Sequence, residues 1–181
     1  MITLAGGWMK WQEGQLRRDD VLAWANEGIA AMETLLLICK WGEQYDASNE
    51  LDKKLKELCI TTAILTERGR LFFKNQSPTL RGQKKEPAYR GDRPCILDQL
   101  VVANKVALRW RLGNAEDRAR MTCVAEAALK KFVSLVQKEV GRNRTAAGET
   151  KRSGEKIDLD VLMDEVDEVR LRKFLGRKPD N

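Results

Sequence analysis

Apolar residues recur along this chain at intervals of three and four, the repeat of a helix with one face turned inward. The first run is Leu22, Ala25, Ile29, Met32, Leu36 and Cys39, and a second seam, Val21, Trp24, Gly28, Ala31, Leu35 and Ile38, lies beside it. Two adjacent seams make a wide apolar face, which predicts a central helix. Asp19 or Asp20 is placed to cap its first turn and Gly42 to end it. A second stripe, Leu51, Leu55, Leu58, Thr62 and Leu65, begins near Asn49 and turns Lys53, Lys54, Lys56 and Glu57 to water. Gly69 is suited to the left-handed backbone that closes helices and is the predicted end of this element.

A third helix is expected to start near Asp92 to Pro94, with Ile96, Leu100, Ala103, Ala107 and Trp110 on its buried face. Gly113 stops it, and Asn114 caps a fourth helix at once, with Glu116 and Asp117 in the first turn where carboxylates favour the helix dipole. So tight a joint forces a helical hairpin. Met121, Val124, Ala128, Phe132, Leu135 and Val136 carry the fourth stripe to Gly141. Val, Ile and Thr alternate nowhere in strand-like runs.

The expected fold is all-α: an antiparallel four-helix bundle with a long loop between helices 2 and 3 and a short C-terminal amphipathic helix. Residues 1–141 form the bundle with its arginine-rich loop at 70–93, and residues 142–156, polar and glycine-containing, read as a flexible linker. Residues 157–176 read as a terminal helix with Leu159, Leu162, Val166, Val169 and Phe174 on one side. Asp158, Asp160, Asp164, Glu165, Asp167 and Glu168 make its other face acidic.

Composition narrows the chemistry. The 181 residues are enough to bury a substantial core, and 33 basic against 27 acidic residues leave a charge of +6, which favours a polyanionic partner. Histidine is absent, which removes Ser–His and Cys–His nucleophile pairs and the HExxH zinc motif. Cys39, Cys59, Cys95 and Cys123 form no CxxC pair, so we expect reduced thiols in a cytoplasmic setting, with no metal and no cofactor. No P-loop, GxGxxG or GxSxG occurs, and the acidic terminal helix lacks calcium-loop spacing. Met1 to Trp11 lacks the features of a secretory signal, and the longest apolar run, Leu35 to Cys39, is too short for a membrane span. Arg90-Gly91-Asp92 spells an integrin-binding tripeptide, for which chance is the better explanation without a secretion signal or disulfide scaffold.

The stretch from Arg70 to Arg93 is longer than a tight bundle connection needs. Pro78, Gly82, Pro87 and Gly91 oppose helix there, while Phe72, Phe73 and Tyr89 supply apolar anchors, and Phe72 and Phe73 are expected to tuck against the bundle. Arg68, Arg70, Lys74, Arg81, Lys84, Lys85, Arg90 and Arg93 face only Glu86 and Asp92 in sequence. Arginine offers a planar fork of donors matched to carboxylate and phosphate, and beside aromatics it can stack on bases. A purely structural alternative has Arg70 and Arg93 holding the loop by pairing with carboxylates such as Asp98 or Glu67. The candidate partner-binding set is Arg68, Arg70, Asn75, Tyr89, Arg90, Arg93 and Asp98, gripping an acidic protein or a nucleic acid. The acidic terminal helix is complementary to this loop and could dock on it within the chain or from a second copy, the latter giving a homodimer.

The string Arg68-Gly69-Arg70-Leu71-Phe72-Phe73-Lys74-Asn75, followed by Pro87-Ala88-Tyr89-Arg90-Gly91-Asp92-Arg93 and Ile96-Leu97-Asp98, resembles a group of uncharacterised bacterial all-helical proteins. Their pattern is RGRxFFxN, then YRGxR, then a leucine–aspartate pair, and Phe132 to Gln137 is similar to theirs too. Lys74 stands where that pattern has proline. The resemblance runs from residue 50 to residue 142 and implies the fold and the loop, with no activity attached. A small helical bundle with a basic loop is also similar to HEPN-type ribonucleases, which cut RNA with an Arg-x4-6-His motif. Arg70 to Asn75 has that outline with asparagine in place of the histidine. Two expectations follow: a non-catalytic helical interaction or regulatory module, or a nucleic-acid-acting enzyme with histidine-free chemistry at Arg70, Asn75, Tyr89 and Asp98.

Overall fold

The computed structural model describes residues 3–42, 49–76, 84–141, 158–168 and 171, with side chains from residue 17 onward. Among the described residues the chain is helical and has no strand. The helices are α1 (Thr3–Trp41), α2 (Asn49–Phe72), α3 (Cys95–Arg109), α4 (Ala115–Glu139) and α5 (Leu159–Asp164). They pack as a helical bundle: α2 lies on α3, α3 on α4, α4 on α1 and α1 on α2, while α5 rests against α4 and α3.

The predicted stripes are the buried faces. Val21, Trp24, Ala25, Ala31, Met32, Leu35, Leu36 and Cys39 put both seams of α1 in the core. Leu51, Leu55, Leu58, Thr62 and Leu65 bury the face of α2, and Ile96, Leu100, Ala103, Ala107 and Trp110 that of α3. On α4, Met121, Val124, Ala128, Phe132 and Val136 are buried and Leu135 is half-buried. Arg17–Trp41 is long and apolar enough to cross a bilayer by length and composition. Its apolar seams are taken up by the other helices.

Helices α1 and α2 each have one boundary that differs from the sequence expectation. Helix α1 begins at Thr3 instead of Asp19 or Asp20, which are exposed mid-helix residues. No proline interrupts this run, and its glycines weaken a helix without stopping it. Helix α2 continues past Gly69 to Phe72, so Arg70 belongs to a helix and not to the loop. Gly69 has a packing role: a Cβ there would lie 2.3 Å from Leu97 Cδ2 and 2.9 Å from Trp24 Cζ2. The missing side chain lets α1, α2 and α3 close around the Trp24 indole, whose Nε1 donates to Leu65 O at 2.8 Å. Phe73 and Phe132 each sit 5.4 Å from the Trp24 ring and Phe72 6.2 Å, so both loop-start phenylalanines are tucked in.

Between α2 and α3, half-buried Asn104 donates to Cys59 O at 2.7 Å and Thr62 Oγ1 at 3.0 Å, which satisfies the polar group beside the apolar seam. The α3–α4 joint is a single turn, Trp110–Leu112, after which Asn114 Oδ1 accepts from the Asp117 amide at 2.9 Å.

Helix α5 is shorter than the expected 157–176 element. Asp158 caps it by accepting from the Asp160 amide at 3.0 Å, and the chain turns again at Glu165. Asp164 and Glu165 place negative charge at a helix C-terminus, where the dipole opposes it. Leu159 and Met163 are buried against the chain's own bundle, with Leu162 and Val166 packed beside them. Arg120 donates to Met163 O at 2.9 Å, and Arg109 pairs with Asp160. The linker at 142–156, Phe174 and the loop residues Pro78, Arg81 and Gly82 lie outside the described residues.

Candidate interaction site at the arginine-rich loop

The connection between α2 and α3 is closed at its base. Gln76 and Asp92 exchange two backbone hydrogen bonds of 2.8 Å each. Gly91, immediately before, has φ +81°, a left-handed conformation that favours glycine. Within the ring, Pro87–Tyr89 form one tight helical turn. Asn75 Nδ2 donates to Ala88 O at 3.2 Å and Arg90 O at 2.9 Å, so one side-chain amide ties the end of α2 to this turn.

The centre of the site is Arg70, whose side chain is only 14% exposed. Its Nε donates to Glu67 Oε2 at 3.0 Å, its Nη1 lies 3.5 Å from Asn75 Oδ1, and its guanidinium stacks 4.5 Å from the Tyr89 ring centre. The Tyr89 hydroxyl donates to the same Glu67 Oε2 at 2.7 Å. That bond, and the negative charge of Glu67, push the Tyr89 hydroxyl above its ordinary pKa. Arg93 and the buried Asp98 pair at 3.0 Å at the start of α3. Both carboxylate anchors anticipated for the loop, Glu67 and Asp98, are therefore made.

Arg70, Asn75, Lys85, Glu86, Tyr89, Gly91 and Arg93 surround an open cleft of about 410 Å³. Four of the sequence candidates meet here: Arg70, Asn75, Tyr89 and Arg93. Asp98 reaches the site only through Arg93. Arg90 turns back, its Nε donating to Lys85 O at 2.8 Å. Arg68 does not line the cleft, because both its terminal nitrogens donate to Glu27 on α1, at 2.6 and 3.1 Å. Lys85 and Glu86 are wall residues that sequence reasoning did not single out. Glu67 is the anchor the sequence offers for Arg70, and its i,i+3 spacing on a helix is the signal for that pair.

Electrostatically the cleft is nearer to balance than the sequence count suggested. Arg70, Lys85 and Arg93 in its wall meet Glu86 in the wall and the paired carboxylates of Glu67 and Asp98. The acidic α5 is not on this loop: it lies by Arg109 and Arg120, with Arg109 at the opposite end of α3 from Arg93. Its apolar residues Leu159 and Met163 are buried within the same chain, while its acidic residues Asp160, Asp164 and Glu165 stay exposed.

Of the cysteines, Cys39 and Cys123 are buried and Cys59 and Cys95 half-buried, all as free thiols. Burial pushes the Cys39 thiol far up, and desolvation raises Cys59 against a smaller opposing backbone hydrogen bond. No group of three metal-ligating side chains occurs among the described residues. No family model, curated protein or solved structure matches this chain.

Proposed function

We propose that this protein is a non-catalytic helical interaction or regulatory module of the cytoplasm that binds an acidic partner at the Arg70–Tyr89–Arg93 cleft. The frame is an antiparallel four-helix bundle. The contacts Arg17–Phe72 and Trp24–Leu65 support that direction for α1 and α2, since one number falls as the other rises. The single observation carrying the functional reading is the convergence of a mostly enclosed guanidinium, a tyrosine hydroxyl and a lysine on one open cleft. Such donors suit planar oxyanions, and arginine stacked on an aromatic ring is held ready at low entropy cost. Catalysis lacks support of the same kind: Asn75 spends its amide on backbone carbonyls and offers no proton acceptor with the range of histidine.

The test is titration of the full chain with polyglutamate and with labelled single-stranded RNA and DNA, with and without magnesium. Salt-sensitive binding without cleavage, lost in Arg70→Ala, is the expected result. Cleavage of RNA or DNA would replace this reading with the enzyme one. Absence of binding to every polyanion would remove the cleft as the functional surface.

A further inference from the structure

Glu67 occupies a position that a ligand's carboxylate would take. Its Oε2 receives hydrogen bonds from Arg70 Nε at 3.0 Å and the Tyr89 hydroxyl at 2.7 Å. Yet Glu67 itself is 52% exposed, while the arginine it satisfies is 14% exposed. Arg70 is enclosed in the wall, Tyr89 stands at its rim at 44% exposure, and the acceptor is a long side chain reaching in from water. A glutamate so exposed gains little from the pair, because solvent screens it and two rotamers must be held. Arg70 Nη2 has no acceptor among the described residues, so the guanidinium keeps an unused donor edge.

Resting on the binding function proposed above, we infer that Glu67 is a built-in competitor: the cleft's ligand is a carboxylate of an acidic peptide segment, which displaces Glu67 from Arg70 and Tyr89. Carboxylate is favoured because the chain already satisfies this donor pair with one. A nucleic acid presents closely spaced phosphates and is held by rows of uncompensated cations. Here Arg68, Arg70 and Arg93 are each matched by a carboxylate, from Glu27, Glu67 and Asp98. Lys85 is the wall cation with no ion pair among the described residues. One or two acidic side chains fit that balance, with the first on Arg70 and Tyr89 and Lys85 drawing the approach. The competitor sets affinity by population, since ligand binds only the fraction of molecules whose donors are open.

The experiment is fluorescence anisotropy of the full-length protein with two labelled probes, an amidated hexaglutamate peptide and a single-stranded RNA hexamer. The proteins are wild type, Glu67→Ala and Glu67→Ala/Tyr89→Phe, each checked for helix content by circular dichroism. Glu67→Ala is expected to bind hexaglutamate about fivefold tighter than wild type, the factor an exposed ion pair of ordinary strength imposes. Adding Tyr89→Phe, which keeps the ring over Arg70 but deletes the hydroxyl donor, is expected to give back most of that gain. Peptide binding that is unchanged or weaker in Glu67→Ala overturns the competitor while leaving the binding function standing. A gain for RNA without one for hexaglutamate overturns the ligand class. Failure of every protein to bind either probe removes the binding function itself, and the competitor with it.

Discussion

Gly69 and Arg70 are neighbours near the end of α2, and they belong to two opposite kinds of contact. Gly69 lets the Trp24 indole, Leu97 and the phenylalanines close on one another, a contact made chiefly of shape. Arg70 sits among Glu67, Asn75 and Tyr89, a contact made of donors and acceptors. The aromatic side has no substitute for what it holds, since water cannot fill the space. On the arginine side every bond can be exchanged for water or for a ligand's oxygen at small net cost. The difference separates holding the fold from meeting a partner within one turn of helix.

Substitutions test that separation in order of size. Trp24→Ala removes the ring that α1, α2 and α4 share and the bond to Leu65 O. It is expected to cost about 3–5 kcal/mol in denaturant unfolding. Asp98→Ala removes the carboxylate paired with the partly enclosed Arg93 and is expected to cost about 2 kcal/mol, below the loss for a fully buried pair, since Arg93 retains some access to water. Faster amide exchange at Asp92, beside the unchanged core, would locate that loss in the loop. Gly69→Ala adds one methyl where there is no room, and overpacking should outweigh the gain in helix propensity by about 1–2 kcal/mol. A neutral result would mean that α3 slides away easily and that the aromatic contact is looser than its distances.

The smallest effect belongs to Tyr89. Its hydroxyl is held above the ordinary value of 10.0, by the bond to Glu67 first and that carboxylate's charge second, with Arg70 opposing. A raised folded pKa means that this bond contributes in full below the ordinary value and is lost as pH rises through the folded one. Ultraviolet titration in a Tyr45→Phe background should show Tyr89 ionising at higher pH than free tyrosine, and Glu67→Gln should move it back down. If that variant changes nothing, the Glu67–Tyr89 bond is absent in solution.

The helical stripes were legible because burial imposes a period that local sequence carries by itself. The cap at Asn114 was legible for the same reason, its partner amide being three residues away. Gly69 was misread because a glycine that ends a helix and a glycine that admits a neighbouring indole look alike in one dimension. The anchors Glu67 and Asp98 lie close in sequence to their arginines and were found. The pairs Arg68–Glu27 and Tyr89–Glu67 join distant segments, and no local spacing announces them. Met163 escaped the expected stripe of the terminal helix because the burial of so short an element depends on what it lands on. Among the candidate residues, types and neighbourhood were right, whereas the partition into cleft wall, support and bystander needed three dimensions.

The Gln76–Asp92 pair has a consequence for how this protein can be altered. Two hydrogen bonds make the excursion between them a ring whose ends are fixed to the bundle, whatever its circumference. Chain statistics penalise a longer ring only logarithmically, about 0.6 kcal/mol for each doubling. The stretch of chain between Gln76 and Asp92 is therefore the natural place to splice in a tag, a reporter or a foreign epitope, with the helices left to fold as before.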